Sequence, residues 1–570
     1  MSDLNKDLSK RFLNYLDTQQ YQRLQFEADM LGDIKNQHPS IIFYYASSIF
    51  LQESSKDEEG VFGGKGSDSH NQLVYASDLF QKVHVENKHI LSLYNMIAIS
   101  FRTKVFQKVL PLAQEELKKN EKDTKLIEGI ARINFYLGNR KESISFFKKL
   151  YELLPDKLEG RLPFISSLNY TSGISQEEYM EQCNNYVRLI EKKLDIQNDK
   201  YIFKNTNNKK IKLAFLSADF KSHSVTHFLK DLLFKIDRSI FEIFLISNLK
   251  TSDQDQISQN LKKLADKWLD VEQYSNEDLT NLLRSENLDI LIDLSGFTQG
   301  NRHEAIVKRS AKIQMVWLGY NNSIGFKNSD YLISDKNLIK SDELSSYKEK
   351  ILFLPTIWNA LSPSKNYPDI EKKIKLENSN FTFCSFNNFQ KLSDRTIKVW
   401  SQILKDDNSV LLLKDSLDGG EDLKNNVLNK FIQNGTKKEK IIFIKREKKI
   451  YDHLKLYNKA DVALDTFPYP GVTTSYEALV MGLPVLTMKG YNFNSRCGES
   501  ININLNMNHL IADNDNDYIK KACELKIQKN LSETYGLKLR QKALSSPLFD
   551  TETFVRDFEN LLKEVINKNL

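Results

Sequence analysis

Cysteine is scarce: four residues, Cys183, Cys384, Cys497 and Cys523, lie far apart in a chain of 570. They show neither a disulfide-framework spacing nor a CxxC metal pattern, so they read as reduced, structural thiols. Long apolar runs are absent as well. No stretch of about 18 apolar residues is available to span a bilayer, and the amino terminus MSDLNKDLSKRF lacks an apolar signal core. The expected address is the cytoplasm, with no membrane partner. Charge of one sign is also in short supply, since a formal net charge of +6 is slight for this length. Lys-rich runs such as Lys118-Lys119 and Lys372 to Lys375 alternate with Glu and Asp along apparent helices. Without a stripe of Arg and interleaved aromatics they read as solvated faces, and no nucleic-acid partner is expected.

What is present is an ordinary globular composition, 40% hydrophobic and 27% charged, which excludes a disordered or fibrous chain. At roughly 100 to 200 residues per domain the length leaves room for about three units, and a single small domain is excluded.

The first part of the chain, residues 1–198, has apolar positions three and four apart and reads as helical throughout. Its best window is Ala131 to Asp156, where Leu137-Gly138 marks a tight inter-helix turn, Ile144, Phe147 and Leu150 share one face, and Pro155 follows the second helix. That window resembles the second half of a tetratricopeptide repeat. Weaker copies fall at Tyr21 to Pro39 and Leu91 to Lys119, with Ser143 where Ala is more usual, and about three to five helical hairpins are expected. An unrelated all-helical domain is the other reading. Glu53 to His70, rich in Gly, Ser and charge, is expected to be an exposed loop.

A polar linker, 199–209, separates this domain from a different pattern. From Ile211 short apolar runs (IKLAFLS, FEIFLIS, LDILIDLS, KIQMVWLGY, DYLISD) alternate with helical segments such as Thr226 to Lys235 and Asn276 to Glu286. The alternation restarts after Lys375 with FTFCSFNN, SVLLLKD, KIIFIKR, DVALDTF and PVLTM. Continuous runs with helical crossovers indicate parallel sheets covered on both faces, so two doubly wound units are expected, 210–370 and 371–570. Thr551 to Lys568 reads as an amphipathic helix closing the second. Ligands of such sheets bind beyond the carboxyl ends of the strands.

The sharpest constellation is DTFPYPGVTTSYEALVMGLPVLTM, Asp465 to Met488. A strand ends at Asp465, Pro468 and Pro470 stiffen a loop, Gly471 permits close backbone approach, and Thr473-Thr474 open a helix that Gly482 terminates. Free amides and two hydroxyls at a helix amino terminus suit a diphosphate, though plain capping fits the same residues.

In wording the segment closely resembles the donor-binding motif of the O-linked N-acetylglucosamine transferase and SPINDLY family, glycosyltransferase family 41. KIKLAFLSADFKSHSV, LDILIDLSGFTQGNR, IQMVWLGYNNSIG, FTFCSFNNFQKLSDRTIKVW and YDHLKLYNKADVALDTFPY resemble further family segments in family order, covering about Lys210 to Glu559. The resemblance implies an α + α/β chain: tetratricopeptide-like helical repeats, then a GT-B pair of Rossmann-like domains, the first on the acceptor side and the second binding nucleotide sugar. By this resemblance Lys391 binds the donor diphosphate and Thr473 and Thr474 contact it, with Asn388 and His453 near the nucleotide. Glu477 would accept hydrogen bonds from sugar or ribose, or alternatively complete a capping box with Thr474. His223, after the first strand, is the candidate base; His227, one turn on, has either a site or a packing role. Thr298, Gln299, Gly300 and Arg302 fit the family pattern, whereas Phe297 stands where many members have histidine, which implies altered sugar or acceptor contacts.

The implied reaction is inverting transfer of a sugar from a nucleotide diphosphate to Ser or Thr of a protein, with no cofactor or metal. UDP-N-acetylglucosamine is the favoured co-substrate and GDP-fucose the alternative. An Asn-directed glucosyltransferase and a non-catalytic repeat scaffold remain open, as does a homo-oligomer. The protein or peptide acceptor would bind along the repeat surface.

Overall fold

The computed structural model describes residues 3–58, 68–196, 199, 201–204, 210–364, 366–371, 381–405, 409–414, 420–447, 449–527 and 533–569. The chain divides into two compact units, Met1–Pro155 with Leu417–Asn426, and Asp156–Ser416 with Val427–Leu570.

Among the described residues the first unit is helical: α1 (Asp3–Asp17), α2 (Tyr21–Asp29), α3 (Pro39–Glu58), α4 (Asp68–Asn87), α5 (Ile90–Thr103), α6 (Val109–Lys119), α7 (Thr124–Tyr136) and α8 (Arg140–Leu153). From α3 onward each helix packs on the next, and α3 also meets α5 and α5 meets α7, the neighbour pattern of stacked hairpins. The α7–α8 hairpin turns where the sequence indicated, at Gly138 with φ 77°, a left-handed position that suits glycine. Ile144, Phe147 and Leu150 are buried together. Ser143 belongs there because its Oγ donates to Ala131 O at 2.8 Å across the hairpin. Leu91 to Lys119 does form a helical pair, but Tyr21 to Pro39 holds only α2 and the short turn Ile34–Asn36, since Pro39 already opens α3. The loop expected over Glu53 to His70 is shorter than its composition suggested. Helix α3 continues to Glu58 and α4 begins at Asp68, where an acidic first turn favours helix initiation, while 59–67 lie outside the described residues.

The second unit opens with α9 (Arg161–Asn169) and α10 (Gln176–Lys193). These helices precede the linker read from sequence, yet they pack with the sheets. Tyr179 Oη donates to Ser323 O at 2.8 Å, and the Tyr186 ring lies 5.8 Å from that of Phe297. Polarity of the following segment, much of it outside the described residues, drew the sequence boundary too late.

Two parallel sheets follow. The first contains β1 (Ile211–Ser217), β2 (Phe241–Ser247), β3 (Lys267–Asp270), β4 (Ile290–Asp293), β5 (Ile313–Val316), β6 (Tyr331–Asp335) and β7 (Lys350–Leu354), in the order β3-β2-β1-β4-β5-β6-β7. The second contains β8 (Phe381–Ser385), β9 (Ser409–Lys414), β10 (Ile441–Ile444), β11 (Val462–Leu464), β12 (Val485–Met488) and β13 (Ile511–Ala512), in the order β10-β9-β8-β11-β12-β13. In each, the direction of strand addition reverses beside the first strand, at β1–β4 and β8–β11, which opens a crevice for ligand. The central strands carry the continuous apolar runs read from sequence. Strands β3, β7 and β13 were not read: β3 is KWLD with both ends exposed and β13 spans two residues, while β7, KILFL, carries an apolar run of its own.

The architecture is α + α/β, helical hairpins followed by a GT-B-type pair of Rossmann-like sheets. A further assignment changes. The closing helix Thr551–Asn569, grouped by sequence with 371–570, returns to the first sheet. Its Phe554 and Phe558 rings lie 6.3 and 4.8 Å from the Trp317 ring, and Glu559 Oε1 accepts from Asp237 N at 2.7 Å.

Candidate active site

Helix α11 (Ser224–Lys235) starts just beyond β1, with His223 as its amino-terminal cap. The His223 Nδ1 accepts from Val225 N at 3.4 Å and lies 3.8 Å from Asp219 Oδ2, while the side chain stays 43% exposed. Beyond β4, Gly296 turns with φ 49° and brings Thr298 to the same region. With Leu318, Gly319 and Asn321 after β5, these residues form one wall of a cavity of about 380 Å³. The second sheet supplies the facing wall from its own reversal point: Asn387, Asn388 and Lys391 beyond β8, and Tyr469, Thr473 and Thr474 beyond β11.

Each group on that wall is held by chemistry local to its loop. Lys391 Nζ donates to Pro470 O at 2.8 Å and sits 4.2 Å from the centre of the Tyr469 ring. Burial lowers its pKa to about 8, against the opposing pull of Asp465 and Cys497. Asp465, buried, organises the Pro-rich loop: Oδ1 accepts from Gly471 N at 2.6 Å and from Asn387 Nδ2 at 3.4 Å, and Oδ2 accepts from Thr487 Oγ1 at 2.8 Å. Burial raises its pKa to about 6 despite these bonds. Gly471 lies under this loop and does not line the cavity. A Cβ there would strike Thr474 Oγ1 and Asn387 Oδ1, which explains the glycine.

The helix Thr473–Val480 then begins with unspent donors. Ser475 and Tyr476 N–H both turn to Val472 O, leaving the Thr473 and Thr474 amides without a backbone acceptor among the described residues. Thr474 Oγ1 donates to Asn387 Oδ1 at 2.8 Å, so the hydroxyl ties the two loops together. Asn388 shapes its own turn, its side chain accepting from Gln390 N at 2.9 Å.

The capping box considered for Glu477 is not formed, because Val472 occupies the cap position and Glu477 is engaged elsewhere. It accepts from His453 Nε2 at 3.0 Å and Tyr457 Oη at 3.0 Å. Burial alone would raise its pKa, but bonding to His453 and the charges of His453 and Lys414 outweigh that and hold it low. Glu477 and His227 line a neighbouring cavity of about 430 Å³ together with Thr473, which borders both. Burial and the nearby Lys230 lower the His227 pKa. His453 lies behind Glu477 and borders neither cavity.

Further sequence candidates lie outside this cavity. Gln299 points into a separate open cavity of about 500 Å³ with Gly300 and Arg302. Arg302 is spent on structure, donating to Asn248 Oδ1 at 3.0 Å and Tyr274 O at 2.7 Å. Phe297 is 2% exposed, packed against Tyr186, His303, Tyr320 and Phe326, and so supplies no cavity contact where an altered sugar contact was expected. Conversely, Asn387, Tyr469 and Asn321 went unread as site residues. The doubled asparagine of FNN and the tyrosine between two prolines were the available signals.

The Glycosyl transferase family 41 profile matches residues 145–380 and 370–558. A rice (Oryza sativa subsp. japonica) protein described as a probable UDP-N-acetylglucosamine–peptide N-acetylglucosaminyltransferase SPINDLY is 26% identical over 429 residues, 74% of this chain and 46% of that one. The UDP-N-acetylglucosamine–peptide N-acetylglucosaminyltransferase of Caenorhabditis elegans is 22% identical over 546 residues, covering 73% and 47%. The chain thus spans about half the length of the curated relatives it matches. A mutant O-GlcNAc transferase from Thermobaculum terrenum shares its fold with a TM-score of 0.75 at 20% identity, covering 92% of this chain and 98% of that one. With the family profile running through both sheets and their shared cavity, the chain belongs to glycosyl transferase family 41.

Proposed function

We propose that the chain transfers a sugar from a nucleoside diphosphate to a hydroxyl of a protein, with inversion and without a metal. The observation that carries this reading is the juxtaposition of the Lys391 ammonium, held by a carbonyl and a ring, with the free amides of Thr473 and Thr474. A cation and helix-terminal donors at one wall are what a departing diphosphate needs for charge stabilisation. His223 assists deprotonation of the acceptor hydroxyl from the opposite wall. As base, His223 uses the neutral tautomer whose single proton is on Nδ1, on the side of Asp219, in place of the contact from Val225 N, which leaves the Nε2 lone pair to take the hydroxyl proton. The family relatives named for UDP-N-acetylglucosamine favour that donor, with GDP-fucose as the alternative. The helical hairpins offer the kind of extended surface that selects polypeptide, and the absence of a disulfide among the four cysteines suits a reducing, cytoplasmic address.

The test is donor hydrolysis and transfer to peptide with UDP-N-acetylglucosamine, UDP-glucose and GDP-fucose, in the parent and in Lys391→Ala. Turnover of one donor that Lys391→Ala abolishes is expected. No turnover of any donor, together with nucleotide binding indifferent to Lys391→Ala, would sink the enzyme reading and leave a repeat scaffold.

A further inference from the structure

The first-sheet wall of the cavity contains a second polar group that the diphosphate grip does not use. Beyond β7 the chain runs through Trp358 and Asn359, and both border the cavity. Asn359 is 1% exposed. Its Oδ1 accepts from Tyr476 Oη at 2.9 Å, with the Asn359 carbonyl 3.0 Å from the same hydroxyl. The amide Nδ2 has no acceptor among the described residues. Asn359 borders the cavity and its Nδ2 is not among the buried, unpartnered atoms, so this donor is open to the cavity and available to a ligand acceptor.

The position of this amide identifies the acceptor. Tyr476 stands three residues after Thr473, about one turn along the helix whose first amides face the diphosphate. Its ring also meets Phe228 of α11, 5.3 Å between centroids, so the hydroxyl is fixed from both sides. Lys391, Thr473 and Thr474 answer the phosphate oxygens, and Asn359 enters from the other sheet. The neutral amide borders the same cavity as these phosphate-binding groups, on the side of the other sheet. Asn321 complements it on the same wall: Nδ2 reaches Cys497 Sγ at 3.5 Å and Oδ1 is buried without a donor.

We infer that Asn359, its amide oriented by Tyr476, is a specificity-determining hydrogen-bond donor to an oxygen of the sugar being transferred. This rests on the proposed nucleotide-sugar reading. The recognised chemistry is a hydroxyl or an acylamino carbonyl oxygen on the sugar, and the choice of donor can separate the two.

The experiment compares the full chain with Asn359→Asp, which keeps the oxygen side and the volume but loses the N–H donor, and with Tyr476→Phe, which keeps Asn359 but releases it. Binding of UDP and GDP is measured beside KM and kcat for UDP-N-acetylglucosamine, UDP-glucose and GDP-fucose. Asn359→Asp is expected to raise KM for the sugar nucleotide about tenfold, and Tyr476→Phe a few-fold, with affinity for the bare nucleoside diphosphate changed less than twofold. A loss confined to UDP-N-acetylglucosamine assigns the contact to the acylamino oxygen; an equal loss with UDP-glucose assigns it to a ring hydroxyl. Unchanged KM in Asn359→Asp overturns the inference while leaving the proposed function standing. Equal loss of UDP and sugar-nucleotide affinity also overturns it, since the residue would then be structural. A parent chain that binds neither UDP nor GDP overturns both.

Discussion

Both sheets place an aspartate at the carboxyl end of the strand that lies across the reversal, Asp293 on β4 and Asp465 just after β11. Both are buried, and burial raises each pKa to about 6 against the hydrogen bonds they accept. Their loops differ. Asp293 closes on its immediate neighbours, accepting from Ser295 N at 2.9 Å and Gly296 N at 3.0 Å, and the next side chain, Phe297, turns into the core. Asp465 reaches six residues ahead to Gly471 and across to Thr487, so the chain between bulges out and carries Tyr469 to the cavity. The same anchor therefore makes a scaffold turn in one sheet and a binding loop in the other. The span it closes decides which.

The proposed function puts the ligand's charge on the second sheet, and Lys391→Ala probes that most severely. Donor turnover should fall on the order of 10² to 10³-fold, the usual cost of losing one preorganised charge-stabilising group, as measured by released nucleotide. A smaller drop than Ala substitution at His223 would shift the electrostatic burden to the first sheet. Next come the anchors themselves. Asp465→Ala and Asp293→Ala should each destabilise on the order of 3 kcal/mol in denaturant unfolding, because each strands buried donors. Only Asp465→Ala should also weaken UDP binding, by about tenfold or more in calorimetry. Comparable weakening by both would erase the distinction.

Acid and base titration sharpen it further. Lys391 must be protonated to attract a diphosphate, and its pKa in the free protein is lowered to about 8. UDP affinity should hold steady below that pH and fall about tenfold per unit above it, a slope that Lys391→Arg should remove because guanidinium stays charged. The Asp293 pKa is shifted upward instead, and its readout is stability. A carboxyl whose folded pKa is raised binds its proton more tightly when folded, so the parent should gain stability relative to Asp293→Asn as pH falls through about 6 toward 4. The smallest effect belongs to Thr473→Val, about fivefold in UDP affinity for one lost hydroxyl contact of about 1 kcal/mol.

Much of this organisation was legible in the sequence where one physical cause dominates. Buried parallel strands demand continuous apolar runs, so β1, β2 and β9 stood out; Thr473 and Thr474 marked the start of a helix, although Val472 holds the cap position and neither hydroxyl caps it. Lys391 and His223 came from family resemblance, and the structure brings them to the same cavity. What the sequence hid depends on which way a side chain turns. Thr298 and Gln299 are adjacent, yet one faces the cavity and the other an open pocket beyond the turn. Phe297 looked like a site substitution and is core. Glu477 had the spacing of a capping partner, but His453 and Tyr457, distant in sequence, claim it. Asn359 carried no motif, and its interest arises only from a tyrosine 117 residues away.

The closing helix has a consequence for how the molecule is made. Trp317 is covered by Phe554 and Phe558, so the first sheet is translated well before the residues that shield this ring. On the ribosome, β1 to β7 emerge with an apolar flank uncovered, and it stays so while the whole second sheet is synthesised. Emergence of that helix, more than completion of either sheet, is the event that seals the first one.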